Sequence, residues 1–389
     1  MTELARALVA PAGLASITAA SSTAPPRLRL VAFTRYSWLA PSSRYRLMQF
    51  VPILAELGID VQIDALFGPW YTDCLVSGKR RPLLKLAGAY LNRIRRVWQA
   101  RSADILWIEK ELLPWLPWWM ERLTLAGAPP RILDFDDSQF HRYDLHSWRI
   151  VRALLGRRID RAMAAAELVS CGSPYIAERA RQAGAAQVVG LPTVLDLTRY
   201  PAAPTPPARR DEFVIGWIGL PQNGRYLEAL RAPLLEFAAE TNLRIIVIGG
   251  RPGVLDGLPV ELRPWSEARE ATDLQEFDVG IMPLPDRPFE RGKCGLKLLQ
   301  YMASWKPTIA SPIGANKAIV EHGRTGFLAD GPDEWLDALR RLRDDPSLRE
   351  HMGKAGRKRV ESEYSLAVAS PQLAAMIRSV SANRAVRTG

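Results

Sequence analysis

The stretch from Phe289 to Ala329, FERGKCGLKLLQYMASWKPTIASPIGANKAIVEHGRTGFLA, carries the residue types best spaced to do chemistry. Gly292 and Gly295 bracket Lys293 and Cys294 and lead into an apolar helical run that begins at Leu296. Glycine lets backbone approach a ligand closely, and the first turn of a helix offers unpaired N–H groups at the positive end of its dipole. With Lys293 and Lys297 at the same spot, the entry suits a diphosphate. Lys297 and Gln300 stand three apart and share a helix face. Gly314 opens a second glycine loop after the next apolar strand. Spacing alone leaves open an ordinary α/β helix with a glycine-rich entry. No Lys-Ser or Lys-Thr pair follows the glycines, so this is not a Walker loop.

In the first half of the chain, Ser42-Ser43-Arg44-Tyr45-Arg46, Glu109-Lys110-Glu111, Asp136-Asp137 and His141 fall at expected strand ends or helix starts. Loops in such places are disproportionately functional. Asp136 and Asp137 read either as working carboxylates or as a helix N-cap with a solvated neighbour. Arg44 and Arg46 read either as a solvated helix face or as cations for a diphosphate.

The elements that must position these groups alternate. Strands are expected at Leu28–Thr34, Ile59–Leu66, Asp104–Ile108, Arg131–Phe135, Glu167–Cys171 and Gln187–Leu191, with helical patterns between most of them and a helix over Ser43–Leu57 stopped by Gly58. The proline-rich stretch PAAPTPPARR, Pro201 to Arg210, fits neither helix nor central strand. Alternation then restarts with strands at Phe213–Gly219, Leu243–Gly249, Val260–Pro264, Phe277–Met282 and Pro307–Ser311, and helices at Arg225–Glu240, Gly295–Ser304, Asp333–Arg343, Ser347–Glu363 and Leu366–Val380. The pattern predicts an α/β fold of two Rossmann-like domains facing each other across a cleft, with ligands at the carboxyl ends of parallel strands. The expected boundaries are a disordered leader at 1–26, a first domain at 27–200, a linker at 201–212, a second domain at 213–365, and a helix and tail at 366–389 that packs back on the first domain.

Length and composition agree with this. The 389 residues suit two domains of roughly 100–200 residues. A 48% hydrophobic and 24% charged composition is ordinary for a globular chain, and the net charge of +11 suits an anionic partner. Cys74, Cys171 and Cys294 are widely spaced and odd in number, so neither a disulfide framework nor a zinc site is expected, and a reducing cytoplasmic setting is. No apolar run of about 18 residues exists. Residues 1–26 lack a basic start and carry Glu3 and Arg6 early, unlike a signal peptide. From Lys79 to Arg101 there are eight Lys or Arg and no acid, while Leu83, Leu84, Ala87, Tyr90, Leu91, Ile94 and Trp98 recur at helical spacing, with Trp115, Trp118 and Trp119 nearby. This helix reads either as an attachment to an anionic membrane surface or as an amphipathic helix facing the core. No nucleic-acid motif accompanies the charge, and no nucleic acid is expected.

Taken in order, Gly295-Leu296, Leu298-Leu299, Met302-Ala303, Pro307 to Ser311, Gly314, Ile319-Val320-Glu321, Gly323 and Gly326 resemble the donor-binding region of the family-4 (group 1) retaining glycosyltransferases with the two-domain GT-B fold. Ser170 to Glu178 and Val188 to Asp196 resemble, more weakly, that family's SxxxxE and VxPxGVD segments. The resemblance implies sugar transfer from a nucleotide diphosphate sugar to a glycan or lipid-linked acceptor in polysaccharide or cell-envelope synthesis. It implies retention of configuration, and neither a metal nor a further cofactor. The donor-binding set it implies is Gly219, Arg225, Glu290, Gly292, Lys293, Cys294, Gly295, Leu296, Lys297 and Gln300. Catalytic candidates are Asp136, Asp137, Glu111 and His141, and the acceptor side takes Ser43, Arg44 and Arg46. The chain departs from the family at the two glutamates usually found eight apart: Gly292 and Gln300 occupy those positions, and Glu290 is the candidate replacement for the first. Leu220 stands where a cation is usual, with Arg225 near the next. A nucleotide-sugar epimerase of the same fold, or a non-catalytic sugar-nucleotide-binding protein, are the alternatives.

Overall fold

The computed structural model describes residues 27–38, 41–71, 74, 80–204 and 211–388. The expected leader and most of the proline-rich linker lie outside the described residues. Six strands, β1 (Leu28–Tyr36), β2 (Ile59–Phe67), β3 (Ile105–Glu109), β4 (Arg131–Phe135), β5 (Leu168–Cys171) and β6 (Val188–Gly190), form a sheet of order β2-β1-β3-β4-β5-β6. Six more, β7 (Phe213–Ile218), β8 (Leu243–Ile248), β9 (Val260–Arg263), β10 (Val279–Met282), β11 (Thr308–Ala310) and β12 (Gly326–Leu328), form a second sheet of order β12-β11-β10-β7-β8-β9. Every pairing is parallel. Parallel sheets are covered by helices on both faces, so their central strands are apolar throughout. All six residues of β7 and all five of β3 are buried. Both sheets are therefore Rossmann-like.

Strand order locates the sites. In the first sheet the order reverses between β1 and β3, in the second between β7 and β10. At such reversals neighbouring crossovers leave in opposite directions and open a crevice beyond the strand ends. The register sets Leu30 of β1 against Ile105 of β3, and Ile215 of β7 against Val279 of β10.

Two expected helices are broken. The run Ser43–Leu57 becomes a helix Pro41–Arg46, a 3-10 turn Met48–Phe50 and a helix Val51–Glu56. Leu47 leaves helical geometry at φ −142°, and Pro52 is confined to the start of the following helix, where its missing N–H costs nothing. Gly58 does stop the segment, in left-handed geometry at φ +77°. The run Arg225–Glu240 is a 3-10 segment Pro221–Leu230 followed by a helix Arg231–Glu240. Strand β12 was not expected. It is only three residues long, too short for periodicity to reveal.

The chain divides into two compact units, one of Thr193–Val368, the other of the residues up to Pro192 together with Ala369 onward. The division precedes the proline-rich stretch, because residues before it are already anchored in the second unit. The Tyr200 hydroxyl donates to Glu270 at 3.0 Å, and the Pro201 carbonyl accepts from Trp305 Nε1 and Arg357 Nη1, each at 3.0 Å. The last helix, Leu366–Thr388, belongs to the first unit from Ala369, and its Arg378 donates to the Leu57 carbonyl at 2.6 Å. Leu195 and Ser365 form an isolated parallel bridge, so the chain enters and leaves the second unit side by side.

Space in the second core is tight. A Cβ added to Gly280 in β10 would lie 2.2 Å from Cγ of the fully buried Tyr301. Gly280→Ala is therefore expected to cost about 1–3 kcal/mol through overpacking and to lower the melting temperature. By contrast, Gly88→Ala, on the helix Leu83–Gln99 with open space around it, gains about 0.8–1 kcal/mol of helix propensity. Thermal denaturation that failed to separate the two variants would contradict this packing.

Candidate functional site

In the second unit, the groups beyond β7 and β10 are drawn together around one hydroxyl. Tyr301 Oη accepts the Ile218 N–H at 3.1 Å and donates to the Ile281 carbonyl at 3.2 Å, linking strands that have ceased to pair directly. Beyond it, Gly219 follows β7. A Cβ there would lie 2.6 Å from the Trp217 ring and 2.8 Å from Lys297 Cε. Glycine thus leaves room for the Lys297 stem to cross the strand end, and the ammonium sits 5.2 Å from the Trp217 ring centroid. Lys297 is on the helix Leu296–Ala303, which starts at Gly295 in left-handed geometry (φ +71°). A Cβ at Gly295 would meet Ile319 Cδ1 at 2.3 Å, so both conformation and space require glycine. Gln300, on the same helix, is buried, and Cys294 and Leu296 are half-buried.

A second cluster adjoins in sequence. Glu290, on the turn Pro288–Arg291, is buried and accepts the Tyr226 hydroxyl at 2.6 Å. Exposed Arg225 lies over the Tyr226 ring at 5.0 Å, with Nη2 3.8 Å from Glu290 Oε1. The Lys293 ammonium lies 5.8 Å from the Tyr226 centroid and 5.4 Å from that of Phe289. Burial pushes the Tyr226 hydroxyl up, keeping it a donor to Glu290. Gly292 is buried between these residues and the helix start. The structure thus gathers Gly219 with Lys297, and Arg225 with Glu290 and Lys293. Tyr226 and Tyr301, which hold the acid and the strand ends, were not anticipated, because neither lies in a recognisable spacing.

In the first unit the strand ends carry buried charge. Lys110, just past β3, takes a left-handed conformation (φ 61°), uncommon for a residue with a side chain. Its ammonium pairs with Asp136 Oδ1 at 2.7 Å and donates to Ser42 Oγ at 2.9 Å. Burial alone would raise the Asp136 carboxyl, but Lys110 and hydrogen bonds from Lys110 and Ser42 hold it below the usual range. Burial would lower Lys110, but Asp136, Asp137 and Glu109 outweigh it and raise the ammonium. Glu109 is pushed up by burial. It accepts from Ser43 Oγ at 2.6 Å and from the Arg35 N–H at 3.2 Å. Asp136 and Asp137 do not cap the following turn: His141–Asp144 has Phe140 at its N-cap and no side-chain cap bond. Asp137 is half-buried.

The remaining first-unit candidates are more deeply engaged than their sequence suggests. Arg44 and Arg46 form no solvated face. Both are buried, and Arg46 clamps Asp134 through Nε–Oδ2 at 2.9 Å and Nη2–Oδ1 at 2.5 Å while donating to the Leu191 carbonyl at 2.6 Å. Glu111 is held by Arg35 at 3.0 Å, by the Tyr143 hydroxyl at 2.5 Å and by Arg158, which also pairs with Glu121 at 2.9 Å. His141 uses both ring nitrogens, on Asp144 and on the Tyr175 hydroxyl, each at 2.8 Å. Among the described residues, no group of three or more His, Cys, Asp or Glu gathers as a metal site would.

The basic helix turns one part of its face inward and leaves the rest exposed. Leu83–Gln99 buries Arg93 and Val97, half-buries Tyr90 and Ile94, and exposes Leu83, Leu84, Leu91 and Trp98. Arg93 leaves the basic face to pair with Asp64 at 3.1 Å and to donate to the Thr34 carbonyl at 2.7 Å. Burial pulls its guanidinium down to about 10. Among the described residues no helix is long and apolar enough to cross a membrane.

Residues 213–345 match the family model described as "Glycosyl transferases group 1". A D-inositol 3-phosphate glycosyltransferase of Pseudarthrobacter chlorophenolicus is 33% identical over 125 residues, 32% of this chain and 28% of that protein. The chain spans less than half the length of the relatives it matches. Among solved structures, a sucrose-phosphate synthase from Thermosynechococcus elongatus superposes with a TM-score of 0.71 at 17% identity, over 92% of this chain and all of that one. Anabaena HepE, solved with UDP and glucose, gives 0.67 at 14% identity, over 91% of this chain and all of that one. These likenesses establish the GT-B fold.

The Lys110–Asp136 pair makes a prediction in pH. A carboxyl held low in the folded state contributes stability that is present above its unfolded value of about 3.9 and lost as pH falls through the folded value. Asp136→Asn should therefore be less stable than the wild type at neutral pH, and the gap should narrow on acidification below about pH 4. Urea denaturation showing a constant gap between pH 7 and pH 3 would contradict the pairing.

Proposed function

We propose that this chain, whose second unit matches the group 1 glycosyltransferases, moves a sugar from a nucleoside diphosphate sugar to a hydroxyl of a glycan or lipid-linked acceptor, retaining the anomeric configuration. The observation that carries the reading is Lys297, on the helix entered through Gly295, lying over the Trp217 ring beside Gly219 at the β7/β10 reversal, inside the stretch matched by the family model. Lys293, Lys297 and the N–H groups opening the helix Leu296–Ala303 receive the diphosphate and offset its charge as it departs. The leaving group is met by these fixed cations and dipoles, so the proposal includes no metal. Gln300 takes the ribose hydroxyls in place of a glutamate, and Glu290, oriented by Tyr226, stands in for the other missing glutamate. The carbon–oxygen bond to the diphosphate breaks, the acceptor oxygen attacks from the same face, and its proton passes to the departing diphosphate or a nearby carboxylate.

The acceptor side belongs to the first unit, with Asp136 and Asp137 serving the transferred sugar and the acceptor. Buried Ser43, Arg44, Arg46 and Glu111 position that edge. The exposed Leu84, Leu91 and Trp98, flanked by Lys85 and Arg95, support peripheral attachment to an anionic cytoplasmic membrane face, where a lipid-linked acceptor of polysaccharide or envelope synthesis would lie.

The direct test offers the protein a panel of UDP-, GDP- and other nucleotide sugars with membrane extract, and identifies products by mass spectrometry and anomeric coupling. A glycosylated acceptor with retained configuration is expected. An isomerised free sugar would indicate an epimerase, and binding without turnover a non-catalytic protein. Lys297→Ala should weaken nucleotide diphosphate binding by roughly 1.5–3 kcal/mol, the worth of a hydrogen bond to a charged group. Unchanged affinity in calorimetry would remove Lys297 from the site. At least one of Asp136→Asn and Asp137→Asn should lower kcat by roughly 100-fold while donor affinity persists. Wild-type turnover in both would make this loop structural.

A further inference from the structure

Away from the strand ends, the first unit holds a pocket of about 590 Å³ lined by Arg152, Arg157, Arg161 and Arg179 with Asp144 and Asp160. Both acids are engaged: Arg179 pairs with Asp160 at 2.7 Å and with Asp144 at 3.1 Å. Arg152 is steered by the carbonyls of His146 and Ser147, which orient the guanidinium without neutralising it. Arg157 and Arg161 are exposed and have no carboxylate partner among the described residues. The pocket therefore carries uncompensated positive charge, with Arg152 and Arg179 held in place and Arg157 and Arg161 open to solvent, and guanidinium forks match phosphate oxygens.

Beside it, the helix Arg149–Leu155 buries only Leu155 fully and exposes Ile150 and Leu154, four apart on one face, at 65% and 67%. Trp148, just before it, is 68% exposed. Exposed large apolar side chains are concentrated in this unit; the second contributes only Leu220, Leu235 and Leu262 among the described residues. Contacts run from this helix to the basic helix: His146 meets Trp148 and Trp115 at ring distances of 5.8 Å each, and the Tyr90 hydroxyl donates to the Pro114 carbonyl at 2.7 Å. Sequence patterning singled out only the basic helix and the tryptophans near it.

We propose that this arginine pocket binds the phosphate of an anionic phospholipid, with Trp148, Ile150 and Leu154 resting in the acyl boundary of the same leaflet. A phosphate joined to acyl chains matches both halves of the surface, and no purely polar anion uses the apolar half. The inference deepens the peripheral-membrane part of the functional reading and rests on it.

The test is co-sedimentation of the full chain with phosphatidylcholine vesicles, with and without phosphatidylglycerol, at low and high salt. The wild type should sediment with the anionic vesicles alone. Arg157→Glu/Arg161→Glu should bind them roughly tenfold or more weakly, and Arg157→Gln/Arg161→Gln should fall between. Ile150→Ser/Leu154→Ser should weaken binding even at low salt. Unchanged circular dichroism and thermal unfolding of these surface variants verify folding. If the wild type binds anionic vesicles, and Lys85→Glu/Arg95→Glu abolishes this while Arg157→Glu/Arg161→Glu does not, the pocket inference falls and membrane attachment stands. If the wild type ignores anionic vesicles, both fall.

Discussion

The first unit depends on the rule that charge withdrawn from water must be paired. Arg46–Asp134, Lys110–Asp136 and Arg158 with Glu111 and Glu121 are all buried at or near the carboxyl end of the first sheet. Each removes ions from water at a cost its own Coulomb attraction only partly repays, and losing one partner would cost about 3–5 kcal/mol. Pairing therefore fixes geometry more than it adds stability. Arg46 ties the short helix Pro41–Arg46 to β4 and to the segment after β6. Lys110 ties the end of β3 to that of β4, and accepts an uncommon backbone conformation to do so. The half-exposed Asp137 is thereby presented from a loop whose neighbours cannot move independently.

The second unit reaches comparable order by different means. Its strand ends are set by a neutral hydroxyl, Tyr301, and by glycines that admit other atoms where a Cβ would collide. Cations there lie against aromatic rings: Lys297 on Trp217, Lys293 on Tyr226 and Phe289. The two units thus order their strand ends with different chemistry, buried ion pairs in the first and a hydroxyl with ring-held cations in the second.

The alternation of apolar runs and helical periods determined the two α/β units without help, since a strand buried on both faces must be apolar along its length. The glycine-flanked entry to Leu296–Ala303 was equally legible, because a left-handed glycine at a helix start is a local property of consecutive residues. What sequence could not contain was any relation requiring strand order. That Lys110 meets Asp136 follows from β3 lying beside β4 with Glu109 level with Asp134. That Tyr301 joins β7 to β10 follows from the reversal between those strands. Arg44 and Arg46 read either as a solvated face or as cations for a diphosphate, and Arg93 as one of a basic run, and only the packed structure, bringing Asp134 and Asp64 to the latter two, decided that they are buried. The helical spacing of Leu83 to Trp98 left its apolar stripe open to core or surface. Tertiary packing turned Arg93 and Val97 inward and Leu91 and Trp98 outward, because the inward face of that helix meets the Asp64 carboxylate and the backbone carbonyls of β1 and β2.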